Sequence, residues 1–163
     1  MTPGVRKFLL TLHVVASVGW MGAVAVFLAL AVAGLLSSDS QIIRASYIAM
    51  DLTYRTVVAP LGLASFATGL ISSLGTDWGL FRYYWILVKL LVTVPAIVLM
   101  LVHIQPVNHL ARLVSTILLP NADLARPGLQ LLLYSCAAQL VLLVATVLST
   151  YKPRGRTRYA AQA

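Results

Sequence analysis

The stretch FLLTLHVVASVGWMGAVAVFLALAVAGLL, residues 8–36, decides the fold class: it is 29 residues long and carries no formal charge. A helix needs about 20 apolar residues to cross the hydrocarbon of a bilayer. Lipid offers no hydrogen-bond partner to an open backbone, so such a segment is expected to be helical. Arg6 and Lys7 stand directly before it, as in a secretory leader. The run is too long for a leader, whose apolar region spans roughly 7–15 residues. It is therefore expected to be retained as the first span.

Three further apolar runs follow, at about 47–74, 83–104 and 129–151. The expected fold is all-α: an integral membrane four-helix bundle of antiparallel up-down spans. Residues 1–151 form its single domain and residues 152–163 a basic tail. The connections SSDSQIIR (37–44) and GTDWGLFR (75–82) are short, which favours antiparallel neighbours. The third connection, 105–128, is longer. Within it Val107, Leu110, Leu113, Val114, Ile117 and Leu118 repeat at helical spacing. That predicts a short interfacial helix between spans three and four. Pro127-Gly128 then marks the start of span four.

Composition agrees with a membrane chain. Of 163 residues, 60% are hydrophobic and 10% charged, and the mean hydropathy is +0.91. Soluble domains run about 45–50% apolar and about 25% charged. The net charge is +8. With the N-terminus inside, Arg6, Lys7, Arg82, Lys152, Arg154, Arg156 and Arg158 fall on the inner side. Arg44, Arg112 and Arg126 fall outside. That excess predicts cytoplasmic N- and C-termini in a multi-pass protein of the cell (plasma) membrane. The tail is suited to anionic lipid. No basic stripe with interleaved aromatics occurs, so the expected partner is the lipid bilayer and not nucleic acid. The single Cys136 lies in an apolar run and reads as a packing residue. No HExxH, P-loop, Gly-x-Ser-x-Gly or Cys-x-x-Cys motif supports a hydrolase or an ATPase.

Polar residues in a span tend to face the bundle interior. At 100° per residue, His13, Ala16, Ser17, Trp20 and Phe27 share a face of span one, beside a Gly19-xxx-Ala23 surface. Asp51, Arg55, Gly62, Ser65 and Gly69 share a face of span two. Trp85, Lys89, Thr93, Ala96, Met100 and His103 share one of span three, and Ser135, Gln139, Thr146 and Thr150 one of span four. Small residues allow close helix approach, and would also permit a homodimer. Pro60 and Pro95 are expected to kink spans two and three. Shape is the favoured reading of those kinks, with a cavity beside Thr93, Ala96 and Met100 as the functional one.

The ionisable residues form two candidate groups. His13 lies six residues past Lys7, about 9 Å of rise, and Lys89 seven past Arg82, about 10 Å. Both therefore fall at one depth in the inner leaflet. Hydrogen bonding of His13 and snorkelling of Lys89 are the bland alternatives. At the other end Asp51 and Arg55 have the i, i+4 spacing of an ion pair, and His103 ends span three nearby. Such a cluster is suited to hold an acidic group, a propionate for example, on Arg55 with His103 as a ligand. His13 and His103 differ in depth by roughly 20 Å, too far to share one haem iron. Either histidine is a metal-ligand candidate with another ligand or alone. Copper is the weaker alternative, through His103 with Met100, Met21, Met50 or Cys136, since soft ligands suit Cu(I).

The segments LHVVASVGWMGAVAVFLAL (12–30) and WGLFRYYWILVKLLVTVPAIVLMLVHIQP (78–106) resemble a bacterial family of uncharacterised four-span membrane proteins common in actinobacteria. The resemblance covers most of the chain except the tail. More distantly the chain is similar to small membrane haem and copper proteins, the HemJ-like protoporphyrinogen oxidases and the CopD-like copper-resistance proteins. His13 and Trp20 match a first-span Leu-His and Trp pattern, and Trp85, Lys89 and His103 fall where a second would lie. The resemblance implies haem b, with His13 as a ligand and Lys89 close to it. The function expected is thus haem binding of redox or haem-handling type. A non-enzymatic bundle, either a small transporter or a subunit of a larger membrane complex, is the alternative.

Overall fold

The computed structural model describes residues 1–75, 83–116 and 121–151. Trp78, Arg82, Ile117, Leu118 and the basic tail 152–163 lie outside the described residues. The chain folds as α1 (Pro3–Leu36), α2 (Ser40–Thr53), a π-helical turn (Tyr54–Val58), α3 (Ala59–Leu74), α4 (Tyr84–Thr116) and α5 (Asn121–Tyr151). The segment Ser40–Leu74 is helical throughout, so four helices are long and apolar enough to cross a membrane. Large apolar side chains such as Phe8, Val15, Leu91 and Leu140 cover the outside. That exposure is unfavourable in water and neutral in lipid.

Local chemistry sets the ends. Pro3 occupies the first helical position of α1, where a missing N–H costs nothing. The first connection is only residues 37–39, shorter than its polar composition suggests, because Asp39 caps α2 by accepting from the Gln41 N–H at 2.8 Å. The Arg44 guanidinium donates to the carbonyl of Ser115 at 2.7 Å, satisfying an acceptor at the C-terminal end of α4.

The third connection differs from expectation. Among the described residues no separate interfacial helix forms. Instead α4 runs unbroken for 33 residues through Pro106. Val107, Leu110 and Val114 are buried in the bundle core, and α4 packs against α2. Pro106 removes one backbone hydrogen bond, and this burial outweighs that loss. Similarly α5 begins at Asn121 and includes Pro127-Gly128.

The kink expected at Pro60 takes the form of a wider turn. The Ala59 N–H bonds the carbonyl of Tyr54, five residues back. A proline ring crowds the carbonyl four residues before it, and the inserted residue relieves that clash. Tyr54 is fixed there by donating its hydroxyl to the Met100 carbonyl at 2.6 Å and by its ring against Phe27. Beyond this turn the second long helix changes neighbour. α2 packs on α1 and α4, whereas α3 packs on α1 and scarcely touches α4. The space between α3 and α4 is where the candidate site lies.

Candidate functional site

A cavity of about 610 Å3 opens between α1, α3, α4 and α5. Leu9, Leu10, Phe66, Leu70, Leu90 and Leu142 supply its apolar walls. His13, Ser17, Ser65, Lys89, Thr93 and Ser149 supply polar groups, and Arg6 reaches it from the first turns of α1.

His13 is held by α3. Its Nδ1 lies 3.0 Å from the carbonyl oxygen of Ser65 and 3.2 Å from Thr68 Oγ1. A carbonyl only accepts, so Nδ1 carries the proton and donates. Thr68 donates its own hydroxyl to the carbonyl of Ala64 at 2.6 Å, which leaves its oxygen free to accept from Nδ1. Ser17 donates to the His13 carbonyl at 2.7 Å, so the 2.7 Å contact between Ser17 and Ser65 has Ser65 as donor. The Thr68 hydroxyl has a second, longer acceptor in the Ser65 carbonyl at 3.1 Å. In the neutral imidazole a donating Nδ1 is the Nδ1–H tautomer, in which Nε2 keeps its lone pair. Among the described residues no hydrogen bond reaches Nε2, on a ring that lines the cavity. Gly69 permits the arrangement: an ideal Cβ there would stand 2.9 Å from His13 Cε1.

Lys89 lines the same cavity, as its shared depth with His13 predicts. Its ammonium donates to Ser149 Oγ at 3.1 Å and sits 4.6 Å from the centre of the Trp85 ring. It is thus anchored within the bundle, with no need to snorkel away. Trp20 lies deeper. It is 4% exposed and lines the cavity, and among the described residues its Nε1 has no acceptor. Gly62 makes room for it, since a Cβ there would meet Trp20 Cε2 and Met100 Sδ, each at 2.9 Å.

The second predicted cluster does not assemble. Arg55 turns back on Asp51 in a two-pronged ion pair, with Nε to Oδ1 at 2.9 Å and Nη2 to Oδ2 at 2.6 Å. Among the described residues no hydrogen bond or ion pair joins that pair to His103. The His103 Nδ1 donates instead to the Leu99 carbonyl at 2.7 Å, and its ring lies 4.1 Å from that of Tyr134. Neither Arg55 nor His103 lines the cavity. The stripe of α4 explains the divergence. Trp85, Lys89 and Thr93 remain on one face, but His103 lies 14 residues past Lys89. A 3.6-residue period drifts by about 40° over that length, and Pro95 falls between. Nor does the cavity extend to Ala96 or Met100.

Two partners were missed in the sequence reading, Thr68 and Ser149. Thr68 follows Ser65 by three residues, and Ser149 follows Thr146 by three, so helical spacing carried a signal for both. The proposed soft copper ligands are dispersed. Met50 and Met100 are core residues, Cys136 is exposed, and the Met100 sulfur points at Gly62. Among the described residues no group of three or more His, Cys, Asp or Glu side chains converges.

No known protein family, curated protein or solved structure matches the chain.

Proposed function

We propose that the chain is a multi-pass protein of the cell membrane whose spans alternate in direction, with both termini cytoplasmic, and that its cavity binds haem b through His13. The pairing of residue 34 with residues 46 and 47, and of residue 13 with residues 65 to 69, supports opposite directions for the first two spans. The distribution of Lys and Arg supports the orientation.

One observation carries the haem reading: the Nδ1 proton of His13 is held by a backbone carbonyl while Nε2 is left as a lone pair over a cavity. Histidines that ligate metals characteristically donate their other N–H in this way, which fixes ring and tautomer. The cavity falls within the range of roughly 300–1,000 Å3 typical of cofactor sites and has the expected apolar walls. Haem needs as little as one protein ligand, whereas a bare ion needs several side chains together. The distant resemblance of the first and third spans to membrane haem proteins points the same way.

His13 would then hold the haem iron through Nε2. Lys89 and Arg6 line the cavity and would be the cations to meet the acidic groups of the macrocycle, whereas Arg55 lies outside it. Bound haem would supply a redox-active iron. Ser65 and Thr68 orient the imidazole, and Trp20 and the leucines keep water from the inner end. The test is the absorption spectrum of protein purified from haem-supplied cells. A Soret band that persists in His103→Ala and disappears in His13→Ala is expected. A colourless wild type ends the proposal.

A further inference from the structure

A second, smaller cavity of about 40 Å3 lies far from His13, where the C-terminus of α1 meets α2 and the start of α5. Gly34, Ser37, Ile43, Tyr47, Leu124 and Ala125 are among the residues that line it, with Leu35 beside them. Tyr47 is 2% exposed, yet among the described residues its hydroxyl has no hydrogen-bond partner. A buried hydroxyl without a partner is costly, so its position requires an explanation. Gly128 contributes part of one, because a Cβ at that residue would lie 2.6 Å from the Tyr47 oxygen. Glycine at that position lets the hydroxyl pack against the backbone of α5.

We infer that this cavity is a built hydration site, in which buried water joins the Tyr47 hydroxyl to the C-terminal carbonyls of α1. The last carbonyls of a helix lack intrahelical donors. At the end of α1 the Ser37 N–H reaches Ala33, but among the described residues no backbone donor from outside the helix reaches Gly34 or Leu35, both of which line the cavity. Ser37 Oγ accepts from the Asp39 N–H at 3.1 Å and retains its own proton for a further acceptor. A donor on Tyr47, acceptors on Gly34 and Leu35, and a hydroxyl on Ser37 match the two to four polar partners a buried water takes. A water needs roughly 10–15 Å3 on the same measure, so the site has room for one to three. Water here ties α2 and α5 to the end of α1 without a direct side-chain bond between helices.

Two measurements on the intact protein in lipid nanodiscs test this. X-ray-generated hydroxyl radicals arise from bound water and mark the side chains beside it. Tyr47 is expected to be oxidised several-fold faster than Tyr54, which is also buried but already bonded to the Met100 carbonyl. Tyr47→Phe is expected to lower Tm by a few degrees, since it strands the water and the carbonyls it serves. Oxidation of Tyr47 no faster than that of Tyr54 would overturn the inference. So would a Tyr47→Phe protein that melts at or above wild type, which is the behaviour of a dry, partnerless hydroxyl.

Discussion

Substituting Gly69 by Ala tests the pose of His13 through a single methyl group. An ideal Cβ at residue 69 stands 2.9 Å from His13 Cε1, whereas ordinary contact begins at 3.4 Å. The imidazole must therefore retreat by about half an ångström. Its Nδ1 is 3.0 Å from the Ser65 carbonyl. A retreat of that size away from α3 takes the bond to about 3.5 Å, the limit at which a hydrogen bond is still counted. Disrupting the partner of a metal-ligating histidine costs about 10–100-fold in affinity, or roughly 1.4–2.7 kcal/mol. Stability should change little, since alanine is favoured over glycine in a helix by about 0.8–1 kcal/mol. The assay is haemin titration of the apoprotein by absorbance, paired with Tm of the same samples. Gly69→Ala should weaken binding by one to two orders of magnitude with Tm nearly constant. Binding within twofold of wild type would refute the geometric argument. Absence of binding in wild type would instead sink the haem reading itself.

Two further outcomes separate the bundle from the site. Tyr54→Phe removes the hydroxyl that anchors the π-helical turn to α4 and should destabilise by about 1 kcal/mol. In a chain of this length that is a fall in Tm of about 2–4 °C, measurable by thermal unfolding in detergent. Asp51→Asn removes the partner of Arg55, whose side chain is 43% exposed. It should cost under about 1 kcal/mol, less at high salt, and leave haem affinity unchanged. A loss of haem affinity would restore Arg55 to the site.

The four apolar helices and the cavity faces were legible because they obey a local rule. His13 with Ser17, and Lys89 with Trp85 and Thr93, recur at helical spacing, and a short straight helix preserves such a stripe. His103 was misplaced because it lies beyond Pro95, too far along α4 for the stripe to hold. The interfacial helix was misread because the apolar run of span three ends at residue 104, short of a proline. Pro106 is tolerated where Val107, Leu110 and Val114 bury against the bundle. Burial of that kind depends on α2, a distant segment of sequence. The acidic partner of Arg55 was visible at i, i+4. What could not be read was that this bond turns Arg55 away from any third group.

The distinction between a proline as shape and a proline as function does not survive at Pro60. The wider turn before it is a shape feature, fixed by Tyr54 on the Met100 carbonyl. Its consequence is that the second long helix leaves α4 and leans on α1. That lean brings Ser65 and Thr68 against His13 and at the same time draws α3 away from Lys89. A straight helix would not give both results. It would close the gap to α4, or it would lose the carbonyl that fixes the imidazole. Proline and π-turn thus act on the site from a distance, by deciding which neighbour each half of the helix has. The cavity exists because the second long helix keeps α1 beside it throughout but α4 only along its first half, and the histidine is oriented by the half that has left α4.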